Sequence, residues 1–254
     1  MIVAAVIPAA GSGTRFGDDK LARNLGGRPV LVHAVEALSR RDEVRDIIVA
    51  GPPEGLDDFR DRYGAVLGFL GASIVAGSAV ERWDTVARAL DHVPDDCTHI
   101  AVHDAARPCP DDAMMDRLFL AAAQLPAVVP GIAIASTLKA VDEAAGRVVR
   151  QDDALADAIL GASSDPGVRA VPIVRTIDRA DLMAVQTPQV FDAALLRRAH
   201  VEMDPAGCTD EASLIERLGE TVHVVEGDPL NIKLTHPADW ALAEAALARR
   251  GSHA

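Results

Sequence analysis

The stretch Ile2-Val3-Ala4-Ala5-Val6-Ile7-Pro8-Ala9-Ala10-Gly11-Ser12-Gly13-Thr14-Arg15-Phe16-Gly17 decides how the rest of the chain is read. Six apolar residues run directly into a loop of small ones. This reads as a first strand delivering a backbone that a ligand can approach closely. Successive amides in such a loop can cradle phosphate oxygens, and Arg15 within it and Lys20 just beyond it can neutralise a polyphosphate. A dinucleotide-binding fingerprint requires GxGxxG, whereas the glycines here stand at 11, 13 and 17, one residue out of register. The acid such a site needs at the end of the second strand is also missing, since that strand ends Val49-Ala50-Gly51-Pro52. Both points argue against an NAD(P)-binding dehydrogenase. A GxxxxGK[ST] phosphate loop is absent too.

Outward from this loop, apolar runs alternate with amphipathic segments. Strands are predicted at 46–50, 73–75, 98–103 and 127–135, and helices at 29–38, 57–63, 82–90 and 111–125. The alternation implies an α/β fold: a Rossmann-like, mainly parallel sheet with helices on both faces, which takes its ligands beyond the carboxyl ends of the strands. The pattern breaks after residue 135. Residues 137–149 alternate loosely around a turn at 143–146, residues 151–167 are polar, and residues 169–177 are again strand-like. We expect one domain over 1–254, with residues 137–177 forming a protruding β-arm. The alternation then resumes with a strand at 182–185, helices at 192–201 and 210–218, a strand at 221–225 and a closing helix at 237–249.

Composition narrows the class. The 254 residues carry a formal net charge of −13, which argues against a broad nucleic-acid surface but allows a local cationic site. No apolar run approaches the roughly 18 residues of a membrane span, and no signal-peptide pattern opens the chain. Cys97, Cys109 and Cys208 fit neither a disulfide framework nor a metal knuckle, so a reduced, cytoplasmic setting is expected. His99 and His103 would lie about 13 Å apart along a strand, which argues against a shared zinc ion. Only Lys20, Lys139 and Lys233 among the 25 basic residues are lysine. Where arginine serves nearly everywhere, a remaining lysine marks a place for a compact, rotatable ammonium.

Further motifs carry chemistry. His103-Asp104-Ala105-Ala106-Arg107-Pro108 follows a strand at the same sheet edge as the first loop. Asp104 there can hold Mg²⁺, which prefers carboxylate, water and phosphate oxygens, or can simply cap the following turn. Gln186-Thr187-Pro188-Gln189 supplies short hydrogen-bonding groups. Thr209-Asp210-Glu211 opens a helix, where it also suffices as a cap. Gly227-Asp228-Pro229-Leu230-Asn231-Ile232-Lys233 is expected to place Lys233 on a short late strand.

Taken in order, PAAGSGTRFG at 8–17, VHDAARP at 102–108, TLKAVD at 137–142, VQTPQVF at 185–191, TDEASLIE at 209–216 and NIKLTHPADW at 231–240 resemble the methylerythritol phosphate cytidylyltransferases, the 4-diphosphocytidyl-2-C-methylerythritol synthase family of isoprenoid precursor synthesis. The resemblance covers nearly the whole chain. It implies a CTP-dependent enzyme that uses Mg²⁺, acts as a homodimer through the arm, and transfers a cytidylyl group from CTP to 2-C-methyl-D-erythritol 4-phosphate with release of pyrophosphate. It further implies that Arg15, Lys20 and Lys233 stabilise the reacting phosphates. Ala9, Ala10, Gly11, Gly13, Gly77, Thr85 and Ala105 would hold the nucleotide, and Arg107, Thr137, Arg179 and Thr187 the acceptor. Asp104 and Asp210 would hold the metal. A cytidylyltransferase for another polyol phosphate, such as ribitol 5-phosphate, is the nearest alternative, and a non-catalytic nucleotide-binding protein is disfavoured by Arg15, Lys20, Asp104 and Lys233. The chain departs from the family pattern in four places. Asp19-Lys20-Leu21 stands where Pro-Lys-Gln is common, and the 77–85 segment is one residue longer between glycine and arginine. Ser136 stands where an aspartate is usual, and the stretch between Val149 and Arg179 is extended.

Overall fold

The computed structural model describes residues 1–11, 20–149 and 167–251. Gly13 and Arg15, and residues 151–166 of the polar 151–167 stretch, lie outside the described residues. The chain divides into two compact units, Met1–Ile132 with Val185–Ala254, and Ala133–Ala184.

The larger unit is built on a sheet whose central strand is β1 (Val3–Pro8). It pairs in parallel with β4 (Val44–Gly51) on one side and β6 (His99–Val102) on the other, and β4 pairs in parallel with β5 (Ala72–Ala76). A short antiparallel pair, β2 (Asn24–Leu25) and β3 (Arg28–Pro29), turns through Gly26 and Gly27 at φ 57° and 92°, the backbone a two-residue hairpin requires. Beyond β6 the order continues through β13 (Gln189–Asp192) to β7 (Ala127–Ala133), with β14 (His223–Glu226) parallel to β7. β13 runs antiparallel to both neighbours. The sequence reading did not anticipate this strand. It is only four residues long, lies between a proline loop and a helix, and is defined by partners far away in the chain.

β1 is buried on both faces, as a central strand of a parallel sheet must be. Its alternation divides the core. Val3, Ala5 and Ile7 meet α1 (Val30–Ser39), α2 (Leu56–Phe69), α4 (Asp112–Ala122) and α7 (Asp239–Gly251) through Leu31, Val35, Tyr63, Leu67, Met114, Leu118 and Ala243. Ala4 and Val6 meet α3 (Arg82–Leu90), α5 (Ala193–Glu202) and α6 (Glu211–Arg217) through Val86, Leu90, Leu196, Leu214 and Ile215. Asp111, Asp192 and Asp210 cap α4, α5 and α6 by accepting from Met114, Leu195 and Ser213 amides. α2 extends six residues beyond the 57–63 expected for it.

In the smaller unit, β8 (Leu138–Val141) pairs antiparallel with β11 (Ile173–Ile177), and β9 (Arg147–Val149) with β10 (Val168–Ala170). β12 (Met183–Val185) ends the excursion.

Candidate active site

The carboxyl ends of β1, β4, β5 and β6 present four loops at one edge of the sheet. The first begins with Ala9, whose amide donates to the Ala50 carbonyl at 2.8 Å, so the loop starts tied to β4. Gly11 is exposed, and a Cβ on it would meet no described residue within 4 Å. Gly77 follows β5. A Cβ there would lie 2.8 Å from Thr85 Cγ2, 2.9 Å from Ala10 Cβ and 3.0 Å from the Gly51 carbonyl, so only glycine fits. Three of the residues expected at the nucleotide, Ala10, Gly77 and Thr85, are thus brought into contact. The Thr85 hydroxyl accepts from the Ser78 amide at 3.0 Å and lies 3.2 Å from the Glu81 carbonyl. It therefore anchors the 77–81 loop to the first turn of α3.

Asp104, just past β6, is the electrostatic centre. Its Oδ2 receives Lys233 Nζ at 2.8 Å, its Oδ1 receives Arg82 Nε at 3.1 Å, and Arg107 Nε lies 3.7 Å from Oδ2. Burial opposes the charge on Asp104, but Arg82, Lys233 and Arg107 together outweigh it and hold the carboxyl well below the usual carboxylate range. Arg82 also donates to both carboxylate oxygens of Glu211, at 2.9 and 2.8 Å. Burial raises the pKa of Glu211 despite this partner. Three cations thus face two carboxylates, a local positive excess in a chain of net charge −13. Arg107 Nη1 donates to the Asn231 carbonyl at 2.6 Å, while its buried Nε has no hydrogen-bond partner among the described residues.

The segment 227–234 delivers Lys233, though not as the strand expected. It crosses the sheet edge as irregular chain because its polar groups bind loops instead of a ladder. The Leu234 amide donates to the Ala106 carbonyl at 2.9 Å, Gln186 Nε2 to the Asp228 carbonyl at 2.8 Å, and Asn231 Nδ2 to the Thr187 carbonyl at 2.8 Å. Lys20 Nζ reaches the Leu234 carbonyl at 3.2 Å, so both site lysines converge on this segment. Thr187 itself accepts from the Asp104 amide at 3.0 Å. Ala105 is buried behind Asp104.

Asp210 stands apart from the cation cluster in its bonding. One oxygen caps α6 and the other accepts from Gln189 Nε2 at 2.7 Å. Thr137 and Arg179 belong to the smaller unit. Thr137 is exposed, and Arg179 Nη1 donates to the carbonyls of Ile134 and Ala135. Among the described residues no three His, Cys, Asp or Glu side chains gather as a metal cage. Mg²⁺ takes carboxylate, water and phosphate oxygens, and Asp104 is an ionised carboxylate of that kind whose two oxygens are here taken by Arg82 and Lys233. Sequence reasoning had overlooked Arg82 and Glu211 as a pair. They are 129 positions apart, and neither stands out alone.

An α/β sheet with a small-residue loop, a buried acid and converging cations at its strand ends defines a nucleotidyltransferase. The family model of 2-C-methyl-D-erythritol 4-phosphate cytidylyltransferase matches residues 3–158 and 151–249, and the chain belongs to that family. A relative of that description from Frankia casuarinae is 43% identical over 97% of this chain and 82% of its own. One from Streptomyces coelicolor is 39% identical over 97% of this chain and 85% of its own. The crystal structure of the 2-C-methyl-D-erythritol 4-phosphate cytidylyltransferase from Thermus thermophilus superposes with a TM-score of 0.70 at 31% identity, covering 98% of this chain and 100% of that one.

Proposed function

We propose that this chain transfers the cytidylyl group of CTP to 2-C-methyl-D-erythritol 4-phosphate and releases pyrophosphate, a step of non-mevalonate isoprenoid precursor synthesis in the cytoplasm. The observation that carries the reading is the cluster of Arg82, Arg107 and Lys233 around buried Asp104 at the end of β6. An acceptor phosphate oxygen forms a bond to the α-phosphorus of CTP, and the α–β anhydride bond breaks with its electron pair leaving on pyrophosphate. Two polyanions must meet, so the chain's task is to orient them and to offset charge, without a covalent nucleophile. Ala9, Ala10, Gly11, Gly13, Gly77, Thr85 and Ala105 shape the nucleotide pocket. Arg15, Lys20 and Lys233 bear on the reacting phosphates. Arg107 and Thr187 serve the acceptor, and the orphaned Arg107 Nε is a donor suited to a phosphate oxygen.

Mg²⁺, when bound, neutralises phosphate charge and polarises the oxygens it touches. Asp104 would hold it, and Asp210 would have to release the Gln189 amide to join. The protein acts as a homodimer in which Thr137 and Arg179 of one copy complete the acceptor site of the other.

Pyrophosphate release across CTP, ATP, GTP and UTP, each with 2-C-methyl-D-erythritol 4-phosphate or ribitol 5-phosphate, tests the reading. Turnover with CTP and the methylerythritol phosphate supports it. Turnover with ribitol 5-phosphate alone would replace the acceptor, and no turnover with CTP would overturn the reading.

A further inference from the structure

β14 runs parallel to β7 as far as Glu226, opposite Gly131. The Gly227 amide still donates to the Gly131 carbonyl at 2.8 Å, and the chain then leaves the sheet for the irregular run that carries Lys233. At the point of departure a side chain takes over from the ladder. Gln186, buried just past β12, donates its own backbone amide to the Pro130 carbonyl of β7 at 2.7 Å. Its side chain faces the departing segment. Nε2 donates to the Asp228 carbonyl at 2.8 Å, and Oε1 accepts from the Asp228 amide at 3.1 Å. Both backbone groups of one residue are thus met by a single amide, as a neighbouring peptide unit would meet them. A Cβ on Gly227 would lie 2.6 Å from Gln186 Oε1 and 3.1 Å from the Gly131 carbonyl. Gly227 is not among the glycines at positive φ, so it answers to this close approach and not to a backbone angle.

Asp228 is the hub of the turn that follows. Its carbonyl also accepts from the Asn231 amide at 2.9 Å, and its carboxylate accepts from the Leu230 amide at 2.8 Å and from Arg250 Nη2 at 2.6 Å. Residues 228–231 therefore form a closed turn, and Lys233 leaves it two residues on, with Nζ 2.8 Å from Asp104 Oδ2. Asn231 Nδ2 and Arg107 hold the far end of the turn, and Gln186 holds its start.

We propose that Gln186 is a positioning residue for the reaction, whose side-chain amide stands in for a peptide of β7 and fixes the point from which Lys233 reaches the reacting phosphates. The inference rests on the reading of Lys233 as a phosphate-stabilising cation and deepens it by naming what places that cation. The Lys233 side chain is nearly half exposed, so its own packing does not fix it and the turn beneath it must. A cation aimed at charge that develops on departing pyrophosphate acts only from the right place, and a displacement of about 1 Å is enough to lose much of its effect. The rival role for Gln186 is to steady Thr187 beside it, on the acceptor side.

A double-mutant cycle separates the two roles. Gln186→Met keeps the length of the side chain and removes both bonds to Asp228. In the parent background kcat should fall roughly 10-fold, while the KM for the polyol phosphate stays within about twofold. In the Lys233→Ala background the same substitution should change kcat by less than about twofold, because a residue that acts through Lys233 has nothing left to place. Gly227→Ala reaches the same bridge from the other side, by displacing Gln186 Oε1, and should give the same pattern in both backgrounds. An equal loss of kcat with and without Lys233, or an acceptor KM that rises as far as kcat falls, would make Gln186 a support of Thr187 or of the fold and overturn the proposal. If Lys233→Ala alone leaves kcat unchanged, the reading of Lys233 fails and the proposal falls with it. Melting temperatures establish which variants are folded in the assay. Should neither Gln186→Met nor Gly227→Ala fold, the bridge belongs to the fold and the proposal is wrong.

Discussion

Asp104 carries one charge that Arg82, Arg107 and Lys233 share, so Asp104→Asn should unsettle more than metal affinity. The amide keeps the shape but leaves three cations facing only Glu211. Lys233 is nearly half exposed and can turn to water, whereas Arg82 cannot. Stability should therefore fall by about 2 kcal/mol, less than for a wholly buried pair. Maximal rate should fall by roughly 10²-fold, and the Mg²⁺ concentration for half-maximal rate should rise. A Mg²⁺ titration superimposable on that of the parent would return Asp104 to a turn-capping role. His103, next to it, predicts a pH dependence. Burial pushes its pKa down to about 4 from an ordinary 6.5. The unfolded chain takes up that proton below pH 6.5 while the folded chain refuses it until about pH 4. Its contribution is thus complete above pH 6.5 and lost as pH falls toward 4, about 3 kcal/mol across the window. His200 is depressed to about 4 by burial first and Arg82 second, and adds in the same direction, while Glu211, with its raised pKa, opposes both at the acid end. Melting temperatures from pH 7.5 to 4.5 should show this slope, and His103→Asn should flatten it. A slope identical in the two proteins would exclude His103 as its source.

Gly77 shows how a loop holds its shape through a missing side chain. It sits where β5 ends, with its amide donating to the Gly51 carbonyl at 2.8 Å and its α-carbon against Ala10 and Thr85. Gly77→Ala must push apart β4 and the first loop, because one of the clashing atoms is backbone. The KM for CTP should rise at least 10-fold with a smaller change in acceptor KM, checked by steady-state kinetics with each substrate varied. Equal effects on both substrates would mean the loop does not belong to the nucleotide side. The parallel core was legible because its signals are local: β1 is an unbroken apolar run, α3 is apolar at a helical period, and the loop after β1 opens with small residues. β13 was not, since Gln189–Asp192 owes its strand geometry to β6 and β7 on either side. Lys233, singled out by its rarity, meets Asp104 but lies on irregular chain and not on the strand expected, because no local pattern reports that the chain around it bonds to Ala106 and Gln186. The Arg82–Glu211 clamp was hidden for the same reason: pairing across 129 positions leaves no periodicity.

The 133–184 unit carries the prediction that reaches beyond one chain. Its pairings are only two strands wide, and such ribbons are marginal alone in water. Val148, Val149, Val168, Ile173 and Val174 are each more than half exposed on them, in contrast to the buried strands of the larger unit. Unpaired edges with apolar side chains call for a cover, and a second copy placed by two-fold symmetry would supply the same surface in return. If the arms exchange in this way, Arg179 and Thr137 complete the neighbour's acceptor site, and within one chain loss of Lys20 damages its own site while loss of Arg179 damages its partner's. Lys20→Ala should lower kcat roughly 10²–10³-fold in a folded protein, as removal of one preorganised cation does. Arg179→Ala should raise the acceptor KM. Mixing the two variants under conditions of subunit exchange gives dimers in which one site combines an intact Lys20 with an intact Arg179. In a statistical mixture these are about half of all dimers, so activity should recover to about a quarter of the parent level per chain. Sedimentation confirms the dimer, and differently tagged copies confirm the exchange. Exchange without recovery would show that each copy builds its own site, and a monomer in sedimentation would leave the exposed valines without the cover assigned to them.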